Sequence, residues 1–165
     1  MNSAPPESVL CQRIIAVRPE ISDTTAGIDF LDLTWRQMQM RALAGVTRGG
    51  QAIRIILPAD QRLEHGCVLA ETAGRQIVTN LLPTDVLAIR PDSPLALAKA
   101  AYALGNLHLP IQIVDNEILI NATSAAEAAL VHMGISFFHE TRRFRPDTHG
   151  IPVFTVRPDT AALTL

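Results

Sequence analysis

The sequence predicts an α+β fold: a small all-β domain, then a ferredoxin-like β-α-β-β-α-β domain, then a C-terminal tail. Three observations predict it. Short β-branched or alternating runs separated by turn signals fill the first half. A breaker-free apolar stretch framed by Ser93-Pro94 and Gly105 reads as one capped helix. Around that helix the elements fall in the order of the split βαβ plan. The resulting boundaries are residues 1–89, 90–145 and 146–165.

In the first domain, strands are expected at Cys11 to Val17, near Ile28 to Leu33, and at Arg41 to Val46, Gln51 to Leu57, Cys67 to Glu71 and Arg75 to Leu82. Arg48-Gly49-Gly50, Leu57-Pro58, His65-Gly66 and Ala73-Gly74 punctuate them. Strands of this length and spacing build a sandwich or barrel. Thr34-Trp35-Arg36-Gln37 has the Thr-x-x-Gln form of a capping box, so one helical turn interrupts the strands.

The second domain takes Val86 to Arg90 as its first strand. Ser93 and Pro94 suit the N-cap and first helical position, the helix runs Leu95 to Leu104, and Gly105 suits the left-handed position after it. This helix has one charge, Lys99, and spreads Leu95, Leu97, Ala98, Ala101, Tyr102 and Leu104 around most of its circumference. A helix apolar on more than one face is buried on more than one face. A sheet covers only one side, so a second copy of the chain is expected on the other. Ile111 to Val114 and Glu117 to Ile120 read as a hairpin turning at Asp115-Asn116. Ser124-Ala125-Ala126-Glu127 reads as a capping box opening a helix that Gly134 closes. A last strand runs from Ile135 to about Phe144, and Pro146, Pro152 and Pro158 punctuate the tail.

Composition narrows the function. Nearly half of the 165 residues are apolar, but there are only five phenylalanines, one tryptophan and one tyrosine, so Leu, Ile, Val and Ala build the core. A formal charge of −2 offers no field for nucleic acid or an anionic membrane. Arg142, Arg143 and Arg145 read as a solvated strand end. Cys11 and Cys67 form no CxxC pair and read as reduced thiols. The first residues carry neither a basic leader nor a signal-length apolar run, and no stretch reaches the ~18 apolar residues of a membrane span. A cytoplasmic protein is expected.

Five histidines are the chemical candidates: His65, His108, His132, His139 and His149. They show no HxH, HxxxH or HExxH spacing, and no Cys–His cluster accompanies them. His132 on a helix and His139 beside Glu140 read as ordinary surface residues. His65-Gly66-Cys67 has the residue types of a nucleophile pair, but residues two apart in a tight turn seldom meet in the needed geometry. Gly49-Gly50 is not followed by the Lys-Ser/Thr of a phosphate loop. No catalytic residues are assigned, and an enzyme is not expected. His108 stands apart because it sits between a helix stop and Pro110, which stiffens the entry to a strand, although spacing alone favours a structural histidine over a ligand. Near a twofold axis, one histidine per chain becomes two ligands on one ion, and neutral imidazole suits nickel, copper and zinc.

The stretch Asp92-Ser93-Pro94-Leu95-Ala96-Leu97-Ala98-Lys99-Ala100-Ala101-Tyr102-Ala103-Leu104-Gly105-Asn106-Leu107-His108-Leu109-Pro110 closely resembles the characteristic segment of the urease accessory protein E family. Its members are nickel metallochaperones of urease maturation. Leu33-Thr34-Trp35-Arg36-Gln37-Met38-Gln39-Met40-Arg41 resembles the family's Leu-Thr-x-x-Gln-Arg-x-x-Arg stretch, and the resemblance spans about residues 8 to 150. It implies an N-terminal domain that binds peptide or partner protein and a metal-binding domain that forms the homodimer. It also implies His108 as a nickel ligand at the dimer interface, His149 as a second ligand from the tail, and apo-urease with other urease accessory proteins as partners. The chain departs from the pattern at Ala103, where many members have histidine, at Leu107, where many have arginine, and in Ile151 to Leu165, which holds no histidine. One bridging site per dimer is therefore expected. A metal-poor adaptor that keeps only the partner role is the alternative.

Overall fold

A computed structural model describes residues 8–22, 25–72 and 74–146 of a mixed α+β chain. Two compact units divide between Asp85 and Val86, with Thr141–Phe144 returning to the first.

The first unit holds β1 (Val9–Cys11), β2 (Ala16–Val17), β3 (Ile28–Leu33), α1 (Trp35–Met38), β4 (Ala42–Val46), β5 (Ala52–Ile56), β6 (Cys67–Thr72) and β7 (Arg75–Leu81). One sheet has the order β1-β5-β4, the other β2-β6-β7-β3. Alternation does the packing: Leu31 and Leu33 face a core with Ile53, Ile55, Ile77 and Leu81, while Phe30 faces a smaller cluster with Val68 and Val78. The capping box opens α1 as its spacing requires. Gln37 N–H donates to Thr34 Oγ1 at 3.3 Å, and Thr34 N–H donates to Gln37 Oε1 at 2.9 Å.

The expected strand Cys11 to Val17 is instead two short strands in different sheets. The chain changes sheets between them, where Ile14 N–H donates to Gln61 Oε1 at 2.8 Å and Ile15 N–H to the Val68 carbonyl at 2.9 Å. Backbone donors that leave one ladder before joining the next take such partners.

The second unit is built on β8 (Thr84–Ile89), α2 (Pro94–Asn106), β9 (Ile111–Val114), β10 (Glu117–Asn121), α3 (Ser124–His132) and β11 (Phe138–Arg142), with sheet order β11-β8-β10-β9. β10 pairs antiparallel with both β8 and β9. Leu87, Ile89, Ile118 and Ile120 pack with Ala100 and Leu104 of α2 and Ala126 and Leu130 of α3, so both helices cover one face. At the hairpin Val114 pairs with Glu117, and Asp115 takes a left-handed φ of 51°.

Three expectations here are corrected. Thr123, not Ser124, is the cap of α3: its φ of −139° is extended and its hydroxyl accepts the Ala126 N–H, which makes Ser124 the first helical residue. Gly105 does not end α2 but lies in its last turn. The final strand is shorter than Ile135 to Phe144: Ile135 spends its N–H on the Leu130 carbonyl at the end of α3, and Phe144 is buried in the first unit, edge-on to Trp35 at 5.5 Å. Among the described residues no helix is long and apolar enough to cross a membrane.

Candidate metal centre

Ser93 starts α2 with an extended backbone and a hydroxyl that accepts the Ala96 N–H at 3.2 Å, followed by Pro94 at the first helical position. The other end places His108. Leu107 is the C-cap, His108 N–H donates to the Gly105 carbonyl at 2.9 Å, and Leu109 N–H reaches the Leu104 carbonyl at 3.4 Å. These two bonds make a Schellman motif, in which the residue after the cap is left-handed. That residue is His108, with φ of 54°. Leu104, fully buried, and Leu109, half-buried, belong to the same apolar cluster and supply the contact that accompanies such ends.

The consequence is an exposed imidazole on a backbone pinned from both sides: behind it two hydrogen bonds to α2, ahead of it Pro110 and β9. A left-handed non-glycine residue costs about 1–2 kcal/mol. Here the Schellman bonds and the buried Leu104 offset that cost. Glycine is the usual occupant of the left-handed position, which is why the sequence points to Gly105. The overlooked signal was the spacing of the apolar pair: Leu104 and Leu109 are five apart, as are Leu130 and Ile135 at the end of α3.

Leu95 and Tyr102, seven residues apart on α2, are 65% and 75% exposed, and Leu107 beside His108 is also exposed. Leu97 and Ala101 pack on the core. One apolar stripe of α2 thus faces the sheet and another stands in solvent.

The other candidates have surroundings of their own. His65 is buried in the first unit, where its Nδ1 accepts the Leu81 N–H at 3.3 Å. Cys67 accepts the Glu64 N–H at its Sγ, 3.3 Å away, and burial pushes its thiol pKa up. Cys11, likewise buried, donates its thiol to the Arg13 carbonyl at 3.1 Å, and burial raises its pKa as well. A thiol held protonated is a poor nucleophile and a poor ligand. His132 is exposed at the end of α3, and His139 is exposed with Nε2 3.9 Å from Glu127 Oε1 and its ring 5.7 Å from that of Phe137. Among the described residues no three histidine, cysteine or carboxylate side chains gather into a metal site. His149 lies outside the described residues.

Residues 84–152 match the family described as UreE urease accessory protein, C-terminal domain. A urease accessory protein UreE of Lysinibacillus sphaericus is 30% identical over 117 residues, covering 71% of this chain and 79% of the relative. The chain belongs to the UreE family. The UreE of a Bacillus species is 36% identical over 108 residues, covering 63% of this chain and 73% of that protein. The UreE of Ralstonia nicotianae is 34% identical over 98 residues, 59% of this chain, and the match spans 46% of the relative. The family match takes in α2, His108 and the hairpin that follows, so the left-handed histidine lies inside the UreE C-terminal domain.

Proposed function

We propose that this UreE-family chain is a nickel-binding metallochaperone that works as a homodimer and passes Ni(II) to apo-urease through other urease accessory proteins. In this reading the second unit is a ferredoxin-like domain for metal binding and dimerisation, and the first binds peptide or partner protein. The protein is cytoplasmic and performs no catalysis of its own. The observation that carries the reading is His108, an exposed imidazole held in a strained backbone position beside an exposed apolar helix stripe. Strain at a solvent-facing histidine has a use if the ring must point one way.

One imidazole per copy gives a dimer two nitrogens for one ion, and water fills the remaining positions. Such a site exchanges its metal readily, as a carrier requires. His149 adds a further, replaceable ligand from the tail of each copy. Zinc and copper compete at the same imidazoles, copper most strongly.

Calorimetric titration of nickel tests this. The wild type takes up about one ion per dimer, and His108→Ala loses it or binds at least tenfold more weakly; His149→Ala weakens binding less. A wild type that binds no nickel above background sinks the carrier reading. The chain is then a metal-poor adaptor, a reading favoured by Ala103 and by the histidine-free stretch Ile151 to Leu165.

A further inference from the structure

The outer face of the β1-β5-β4 sheet in the first unit does not follow the usual rule for a solvated sheet. Strand alternation should put apolar residues inward and polar residues outward. Ile53 and Ile55 do point into the core, with Val9 and Cys11 beside them. The residues that point the other way are apolar too. Register sets Ala42 beside Ile56, Ala44 and Leu10 on either side of Arg54, and Val46 beside Ala52. Leu10 is 52% exposed, Val46 63% and Ile56 46%. Arg54, at the centre, is the one charged side chain of this face. Among the described residues no carboxylate pairs with it.

Size and charge together define what fits. Three strands about 4.8 Å apart span roughly 10 Å between their outer axes, and five residues of strand run roughly 17 Å. That is the footprint of one α-helix of about three turns, 10–12 Å wide, and well short of the ~800 Å² per partner of a stable protein interface. A second copy placed on this face by a twofold axis would set Arg54 against Arg54, a like-charge contact. An acidic helix would pair with it.

We propose that this face docks one amphipathic, acidic helix of a partner protein, with an apolar stripe on Leu10, Val46 and Ile56 and a carboxylate on Arg54. This rests on the metallochaperone reading for the source of the helix, which is apo-urease or one of its accessory proteins. The probe is therefore the apo-urease complex assembled with its other accessory proteins. Its binding to the full chain is measured for the wild type, Arg54→Glu, Arg54→Gln and Val46→Asp, with nickel titrated into each sample and mass followed by light scattering. The expected result is at least a tenfold loss of affinity for Arg54→Glu and Val46→Asp, a smaller loss for Arg54→Gln, and wild-type binding that weakens as salt rises. Nickel stoichiometry and mass stay unchanged. Wild-type affinity in Arg54→Glu and Val46→Asp overturns the proposal, as does a wild type that binds nickel but not the complex. A change in mass with partner binding intact makes the face a self-interface and also overturns it. Loss of nickel binding in the wild type itself is the failure of the metallochaperone reading, and it shows separately.

Discussion

The two helices of the second unit end in the same way with different residues. At the end of α3, Gly134 N–H donates to the Val131 carbonyl at 3.1 Å and Ile135 N–H to the Leu130 carbonyl at 2.9 Å. At the end of α2, the equivalent bonds come from His108 and Leu109. The left-handed residue is Gly134 with φ of 66° in one case and His108 with φ of 54° in the other. Glycine holds that conformation without steric cost; histidine does not. The α3 end carries the residue that costs least there, and the α2 end carries one that costs stability. A position that departs from the local rule while its twin obeys it is where a function is to be sought.

The largest test of this contrast is the apolar support. Leu104→Ala should destabilise the second unit by about 3 kcal/mol, because it opens a cavity beneath the strained turn. Urea unfolding reads this. Nickel affinity should fall as well, since the turn loses its anchor. Leu130→Ala should destabilise comparably but leave nickel affinity of the folded protein near wild type. Equal effects on nickel would erase the distinction between the two ends.

Exchanging the left-handed residues comes next. His108→Gly should raise stability by about 1 kcal/mol and abolish nickel binding, whereas Gly134→Ala should lower stability by about 1 kcal/mol and leave nickel untouched. Thermal unfolding with a nickel titration on each variant checks both signs. A destabilised His108→Gly would mean that the histidine side chain supports the fold.

Gly105→Ala gives a smaller, sharper result. Gly105 lies within α2, and a Cβ there meets nothing within 4 Å. Alanine should therefore stabilise by about 0.5–1 kcal/mol. Loss of stability would restore the left-handed role that the sequence suggested for it.

The smallest effect lies in the first unit. Arg48 bonds Asp32 through Nε and Nη2, both at 2.8 Å, and Asn80 Nδ2 donates to it at 2.7 Å, which holds the Asp32 carboxyl below the usual carboxylate range. A depressed folded pKa stabilises above the unfolded value and is lost as pH falls through the folded one. Asp32→Asn should therefore cost stability at pH 7, and less as pH drops below about 4. The pair is exposed, so the loss at pH 7 should stay below about 1 kcal/mol.

Legibility in the sequence followed the physics of each element. Elements set by local chemistry were readable: the Thr34–Gln37 box, the Ser93-Pro94 start of α2 and the strand pair at Asp115-Asn116. Misreadings came where two local rules competed within a residue or two. Thr123 and Ser124 are both good caps, and only the backbone distinguishes them. Glycine at 105 outweighed the spacing of Leu104 and Leu109. The switch of sheets after Cys11 depends on Gln61, 47 residues away from Ile14, and no local pattern reports it. His108 itself was readable as a candidate from its neighbours and the family resemblance, but its strain was not. The outer face of β4 and β5 is also hidden from the sequence, since only register aligns Ala42, Ala44, Val46 and Ala52 around Arg54.

The two buried cysteines bear on how cleanly such a protein can trade in metal. Thiolates hold soft ions such as copper(I) and zinc far more tenaciously than imidazole does. With both sulfurs enclosed in the first unit and kept protonated by their surroundings, the chain offers passing ions no sink from which they would be slow to leave. In the proposed carrier, traffic is left to exposed nitrogen, where occupancy tracks supply and demand.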